Sequence, residues 1–265
     1  ITCACILAVF NTGIAVFRDC AVRLVTSCNS FDMASIGEGP VAIYIVYRDE
    51  VKVHYQVISL FIQDAYRYLI ERASDKPNGK LDVPFYFILD EFGNVPAIKD
   101  FETTISACAG RNIWFILIIQ SYAQLASVYG TAVAEIIKDN LNMHIFFGSN
   151  NPDTLEAFSH ECGLQTRISP LSALNGNSAD IDTYHIETIP LVPKSMLSHF
   201  QPGECIITEA NSGYVMFSKL ERYFLCDEFK DLKLASEKEY KCGVNPFEKR
   251  YTYTVTRRKR NRMDF

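Results

Sequence analysis

Residues 84–92 read PFYFILDEF and residues 113–120 read IWFILIIQ, and these two stretches decide the fold. Each is an apolar run of strand length that ends in polar side chains, which are Asp90 and Glu91 in the first run and Gln120 in the second. Strands that are apolar along their whole length are typical of a parallel sheet covered on both faces. The two runs therefore predict neighbouring, buried strands of a parallel sheet.

The rest of the chain alternates between strand-like and helix-like segments, which is typical of an α/β fold. Further strands are predicted at 41–48 and 143–149, and helices at 53–72, 97–109, 121–128, 131–141 and 152–162. Residues 163–187 are rich in Ser and Asn and are expected to be irregular. Residues 203–209 and 213–219 are expected to form a β-hairpin that closes the domain.

The amino-terminal segment, residues 1–17, carries no charged side chain, so a membrane span has to be considered. A span needs about 20 apolar residues. Here Asn11, Thr12 and Gly13 interrupt the apolar run, and Arg18 ends it. We expect either a buried helix or the end of a helical subdomain, and a soluble chain.

The composition is that of a globular protein, with 48% apolar and 22% charged residues and a net charge of −5. Residues 249–265 contain seven basic side chains and one acidic side chain; the other 19 basic and 30 acidic residues give the remainder a net charge of −11. Nucleic acid is therefore expected to bind only at a local patch.

The nine cysteines include no CxxC pair and are expected to be reduced, and the five histidines lack metal-ligand spacing. Trp114 is expected to be buried, and His144 to be a core or turn residue.

The polar residues that end the two apolar runs form a candidate catalytic site. Carboxyl ends of parallel strands meet at the sheet edge where ligands bind, so Asp90, Glu91 and Gln120 are expected to be neighbours. Asp90 can hold Mg²⁺, and Glu91 can polarise an attacking water. Gln120 can donate to a phosphate oxygen and accept from that water. The alternatives are that the acids merely begin a turn and that Gln120, together with Ser121, caps a helix.

Arg111 lies just before the second run, at the amino end of that strand and away from its own subunit's site. It is expected either to reach the phosphates of a neighbouring subunit as an arginine finger or to form a structural ion pair. The sequence contains no GxxxxGK[ST] phosphate-binding loop, and its one Gly-Lys pair, Gly79-Lys80, is followed by Leu81. We therefore expect this chain by itself to be inactive in nucleotide hydrolysis.

Together, these motifs resemble those of the TraG-like coupling proteins, the ATPases of conjugative type IV secretion systems. The resemblance covers roughly residues 25–220 and rests on DEFGN (90–94), IKDFE (98–102), GRNI (110–113) and QSYAQL (120–125). It implies a RecA-like P-loop NTPase core that assembles into a hexameric ring. It also implies that Asp90 and Glu91 are the Walker B acids of a Mg-ATP site, and that Gln120 is the glutamine of a conserved motif.

The same resemblance implies that the intact protein recruits relaxase-bound single- or double-stranded DNA, or protein effectors, and drives them to the secretion channel by ATP hydrolysis. It places the protein on the cytoplasmic side of the bacterial membrane, anchored by amino-terminal helices that lie outside this sequence. Residues 1–25 correspond to the end of an inserted helical subdomain, and 26–248 to the carboxyl-terminal portion of the RecA-like domain.

The basic tail at 249–265 lies beyond the resemblance. It is expected either to contact nucleic acid or a secretion partner or to be a solvated terminus. Two alternative functions stay open for the protein. One is a non-catalytic docking protein on the same fold, and the other is a DNA-translocating motor of the packaging or segregation type.

Overall fold

The computed structural model describes residues 2–27, 32–46, 52–170, 184–210 and 212–229. The chain divides into two compact units, one formed by residues 1–31 and 231–265 and the other by residues 32–230. The predicted boundaries at residues 25 and 248 stay a prediction. No helix in the described ranges has both the length and the apolar character needed to cross a membrane.

The described part of the first unit is helical. It contains α1 (Thr2–Gly13) and α2 (Cys20–Thr26), joined by a 3₁₀ turn at Ala15–Arg18. The amino-terminal helix is thus confirmed, but its expected burial is wrong, because side chains such as Val9 (74% exposed) face solvent. Within the described part of this unit, α2 and the 3₁₀ turn are too short to cover every side of α1, which is apolar around most of its circumference.

The second unit contains both helices and strands. The helices are α3 (Lys52–Ser74), α4 (Phe101–Cys108), α5 (Tyr122–Tyr129), α6 (Thr131–Asp139), α7 (Pro152–Glu161) and α8 (Lys194–Leu197). The strands are β1 (Phe85–Leu89), β2 (Ile113–Leu117), β3 (Met143–Phe146), β4 (Leu164–Pro170), β5 (Tyr184–Pro190), β6 (Glu204–Glu209) and β7 (Val215–Lys219). Short 3₁₀ turns lie at Met33–Ser35, Phe92–Asn94, Ala109–Arg111, Tyr223–Leu225 and Asp227–Phe229.

Strands β1 and β2 form the predicted parallel pair, in register from Phe85 opposite Ile113 to Leu89 opposite Leu117. One face of the pair is buried under α3, α4, α5 and α6, and on it the rings of Phe87 and Phe115 stack with centroids 4.8 Å apart. The expected cover on the second face is absent from the described residues. Because the helices pack on one side only, Trp114 is 41% exposed, which corrects its predicted burial.

The predictions of two further parallel strands, at 41–48 and 143–149, are wrong in different ways. Residues 41–46 form no strand, because no described strand pairs with them; residues 47 and 48 lie outside the described ranges. Strand β3 forms, but it pairs antiparallel with β6 in a sheet of order β3-β6-β7. The prediction placed it in the parallel sheet because an apolar run does not show the direction of its partner. The predicted hairpin of β6 and β7 is confirmed.

The segment expected to be irregular, residues 163–187, instead contains β4 and most of β5, paired antiparallel in a separate two-stranded sheet. Alternation explains this difference, since Leu164, Thr166 and Ile168 share one face of β4 and polar residues occupy the other. Residues 171–183 lie outside the described ranges. A second core lies under β3, α7 and β6, built from Phe146, Leu155, Phe158, Cys162, Val192, Leu197 and Ile206.

Candidate active site

The candidate site lies where the backbone leaves β1 and β2. The ladder between the two strands continues past their ends, because the Ile118 N–H donates to the Leu89 carbonyl oxygen and the Phe92 N–H donates to the Ile118 carbonyl oxygen, both at 3.0 Å. These two bonds keep the segments after the strands side by side. Glu91 and Gln120 therefore lie on adjacent backbones at the carboxyl end of the pair.

The side chains of Glu91 and Gln120 are in direct contact. The Gln120 Nε2 amide donates to Glu91 Oε2 at 3.0 Å and to Oε1 at 3.1 Å. The sequence prediction that these residues are neighbours is confirmed; their catalytic roles stay predictions. Helix α5 begins at Tyr122, and its N-cap is Ser121, whose Oγ accepts a bond from the Gln124 N–H at 3.2 Å. Gln120 is therefore not the capping residue, and its side chain is available to Glu91.

The two acids occupy a turn immediately after the last residue of β1. Glu91 has left-handed backbone angles (φ 51°, ψ 38°), a conformation that costs a non-glycine residue about 1–3 kcal/mol. Asp90 Oδ1 accepts a bond from the Glu91 N–H at 3.0 Å, which stabilises the turn. The alternative in which the acids begin a turn is therefore correct as a description of the backbone, and the catalytic roles of the two carboxylates stay predictions.

The donor set at this turn fits a magnesium ion. Mg²⁺ binds hard oxygen ligands and is usually held by one or two carboxylates together with waters and substrate phosphates. Asp90 is exposed, and its Oδ2 makes no hydrogen bond to any described residue. Within the described ranges, no three or more His, Cys, Asp or Glu side chains converge on a metal-binding geometry. Asp90 is thus suited to bind an ion whose other ligands are waters and substrate phosphates, rather than an ion bound by protein side chains alone.

Two amide side chains complete this site; they lie in the DEFGN and QSYAQL motifs, but the sequence prediction gave them no role. Asn94 Nδ2 donates to Glu91 Oε2 at 3.0 Å, and Gln124 Nε2 donates to Asn94 Oδ1 at 2.8 Å. Gln124 Oε1 in turn accepts a bond from the Gln120 N–H at 3.3 Å. The four residues thus form a closed ring of hydrogen bonds. Their spacing is the signal for them in the sequence: each amide follows its partner by three or four residues.

Arg111 lies at the opposite end of β2 from Gln120, as expected. It is the last residue of the 3₁₀ turn before the strand, and its Nη1 donates to the Ala107 carbonyl oxygen at 2.8 Å. It forms no ion pair with any residue in the described ranges. Its contact with a neighbouring subunit stays a prediction.

A second polar cluster surrounds His144, which lies on β3. His144 Nδ1 lies 2.8 Å from Glu161 Oε1, and its Nε2 lies 3.3 Å from the Lys138 carbonyl oxygen. The hydrogen bond with Glu161 raises the pKa of His144, although burial opposes this effect. Burial favours a higher pKa for Glu161, but hydrogen bonds from His144 and Thr208 lower it below the usual value. His144 is therefore part of a polar pair rather than a simple core residue.

A cleft of about 780 Å³ opens beside this pair, and neither Glu91 nor Gln120 lines it. Helix α5 contacts α7, one of the elements that line this cleft, because the Tyr122 N–H donates to Thr154 Oγ1 at 3.2 Å. Burial raises the pKa of Tyr122 far above its usual value, so the Tyr122 hydroxyl stays protonated. The cleft is therefore a separate feature from the candidate active site.

Comparison with known proteins shows the family and the fold of this chain. Residues 2–233 match the family of type IV secretory system conjugative DNA transfer proteins, and this chain belongs to that family. Its fold is similar to that of the bacterial conjugative coupling protein TrwB, with a TM-score of 0.55 and 13% identity over 66% of this chain and 39% of the TrwB chain. TrwB structures with a non-hydrolysable GTP analogue and a non-hydrolysable ATP analogue give TM-scores of 0.54 and 0.53.

Curated proteins with similar sequences include two VirD4 proteins. The chain is 24% identical over 155 residues to VirD4 of Rhizobium rhizogenes, a match that covers 58% of this chain and 23% of that protein. It is 24% identical over 152 residues to VirD4 of Agrobacterium fabrum, covering 57% and 22%. An uncharacterised Bacillus anthracis protein is 33% identical over 99 residues, covering 36% of this chain and 35% of the relative. The chain therefore spans about a third or less of the length of these relatives.

Proposed function

We propose that this chain carries the hydrolytic carboxylate of a conjugative coupling ATPase with a RecA-like core. The observation that carries the proposal is the contact between Glu91 and Gln120, 3.0 Å apart at the carboxyl end of two parallel strands. A carboxylate beside an amide at that edge is suited to hold and polarise a water molecule. The TrwB structures with nucleotide analogues support a nucleotide as the ligand.

Each residue has a distinct task in this proposal. Glu91 accepts a proton from the water that attacks the γ-phosphate of ATP in line, and Gln120 orients that water and donates to a phosphate oxygen. Asp90 holds Mg²⁺, which when bound supplies positive charge to the phosphate oxygens. Arg111 lies at the far end of β2, so it acts on the site of a neighbouring subunit.

The wider assignment follows from the family and is part of the proposal. The intact protein forms a hexameric ring on the cytoplasmic side of the membrane and delivers relaxase-bound DNA or protein effectors to the type IV secretion channel. Membership of the conjugative DNA transfer family favours this role over a motor for packaging or segregation. A non-catalytic docking protein on the same fold remains the competing outcome of the experiment.

ATP hydrolysis by the complete gene product that contains residues 1–265 tests the proposal. Replacing Glu91 by Gln keeps the size of the side chain and removes its basicity, so we expect kcat to fall about 10²- to 10⁴-fold. The matched control is Glu71→Gln, an exposed glutamate on α3, which should leave kcat unchanged. An inactive wild-type protein would support the docking role. Equal rates in wild type and Glu91→Gln would exclude Glu91 as the base.

A further inference from the structure

The hydrogen bonds around Glu91 follow two paths, and in both paths the donors lead from Gln120 to the Glu91 carboxylate. Asn94 has its carbonyl oxygen toward the Gln124 amide at 2.8 Å, so its NH₂ group is the end that faces Glu91. The carbonyl oxygen of Gln124 is fixed in the same way by the Gln120 backbone N–H. Rotating either amide by half a turn would place two donors or two acceptors against each other. The side-chain orientations are therefore set by the ring as a whole.

The elements that carry the two amides are well packed, whereas Glu91 lies on a turn. Asn94 ends the 3₁₀ turn in which Phe92 is fully buried, and Gln124 lies beside Leu125, which is 2% exposed. A Cβ atom built on Gly93 would lie 2.5 Å from Gln124 Cδ, so this glycine lets the Gln124 side chain pass directly over the turn. The ring thus ties the Glu91 carboxylate to elements that are packed into the core.

We infer that Asn94 and Gln124 are positioning residues that hold the Glu91 carboxylate and the Gln120 amide in one arrangement for attack by water. This inference rests on the proposed function. In the proposed reaction, neither Asn94 nor Gln124 touches the reacting atoms. Asn94 acts through its hydrogen bond to Glu91, and Gln124 acts through its hydrogen bonds to Asn94 and to the Gln120 N–H. Asp90 lies outside the ring, so the inference separates the positioning of water from the binding of the metal and nucleotide.

The first experiment measures kcat and KM for ATP in the complete gene product. A misplacement of about 1 Å in a reacting group can cost about 100-fold in rate, so Asn94→Ala should lower kcat about 10- to 100-fold with little change in KM. Asn94→Asp has nearly the same shape but cannot donate, and it sets a second negative charge beside Glu91. It should therefore be at least as impaired as Asn94→Ala, whereas a role limited to filling space would make it the milder change.

Matched variants separate the ring from general surface effects. Gln124→Glu keeps the acceptor oxygen but loses the donor to Asn94, and it should also lower kcat. Asn150→Ala and Gln63→Ala, which make no hydrogen bonds within the ring, should leave kcat unchanged. If the Asn94 and Gln124 variants have the same kcat as these controls, the inference is wrong.

A second readout needs no nucleotide. In thermal unfolding, Asn94→Ala should lower the melting temperature of the wild-type protein. In a protein that already carries both Gln124→Ala and Glu91→Ala, the same change should have almost no further effect, since the partners of Asn94 are missing there. Equal shifts in both backgrounds would contradict the ring. An inactive wild-type protein would overturn the proposed function, and the positioning role in hydrolysis with it, whatever the unfolding result. An active wild type with additive shifts and an unchanged kcat would overturn this inference alone.

Discussion

Replacing Gly93 by Ala tests the geometry of the site through stability alone. The new Cβ would lie 2.5 Å from Gln124 Cδ, whereas ordinary contacts begin at 3.4 Å, so the Gln124 side chain has to move by about 0.9 Å. That movement breaks its bonds to Asn94 and to the Gln120 N–H, which start at 2.8 and 3.3 Å. Two hydrogen bonds at about 1 kcal/mol each make a loss of about 2 kcal/mol.

A smaller effect opposes this loss. Alanine has fewer conformations than glycine in the unfolded chain, which is worth about 0.4–1 kcal/mol to the folded state where the backbone permits it. Gly93 does not have a positive φ, so the gain applies, and we expect a net loss of about 1 kcal/mol in the free energy of unfolding. Gly110→Ala is the matched control, because its Cβ meets no atom within 4 Å and its φ is not positive.

Equilibrium urea unfolding of wild type and both variants measures the difference. Gly93→Ala should lower the midpoint and Gly110→Ala should leave it equal or slightly higher, a separation of about 2 kcal/mol. In a Gln124→Ala background the clash is absent, so the same Gly93→Ala change should cost nothing. The reasoning is refuted if Gly93→Ala behaves like Gly110→Ala, or if its cost is the same in both backgrounds.

Two further predictions concern other parts of the molecule. His144 has a raised pKa in the folded state, so its stabilising contribution is complete below the unfolded value of about 6.5 and is lost as pH rises through the folded value. The urea midpoint of wild type should fall in that range relative to that of His144→Gln, and parallel pH profiles for the two proteins would contradict this. Arg111→Ala should lower ATP turnover about 10³-fold or more if this residue serves a neighbouring subunit. Mixed assemblies of Arg111→Ala and Glu91→Gln subunits should then regain part of the activity, whereas a residue that acts within its own subunit would give no recovery.

The sequence was sufficient to predict β1, β2 and the neighbourhood of Glu91 and Gln120. Both strands are short apolar runs with polar ends, and parallel strands in register bring their carboxyl ends together at one edge. The prediction needed no side-chain detail, because the position of Gln120 beside Glu91 follows from the backbone ladder. Arg111 could be placed at the other end of β2 for the same reason.

Other elements depend on partners that no local pattern specifies. Strand β3 is mostly apolar, like β1, but its direction is set by pairing with β6, more than 50 residues away in the sequence. Strands β4 and β5 were missed because polar residues occupy one face of a two-stranded ribbon and dilute the apolar signal. The exposure of Trp114 was missed because an apolar strand shows which residues can be buried but does not show whether a helix covers them.

The amide ring shows why the finer chemistry of a site lies beyond such patterns. Asn94 faces Glu91 only because Glu91 has left-handed backbone angles and a 3₁₀ turn follows, and neither is specified by the residue types. Gln124 reaches Asn94 only because Gly93 leaves room above the turn and Ser121 fixes the start of α5. Each condition concerns the backbone, and each is needed for the hydrogen bonds to close. The positions of Glu91 and Gln120 can therefore be predicted from the two strand ends. The spacing of Asn94 and Gln124 indicates candidate partners, but their hydrogen bonds to Glu91 and to each other follow only from the backbone of the turn.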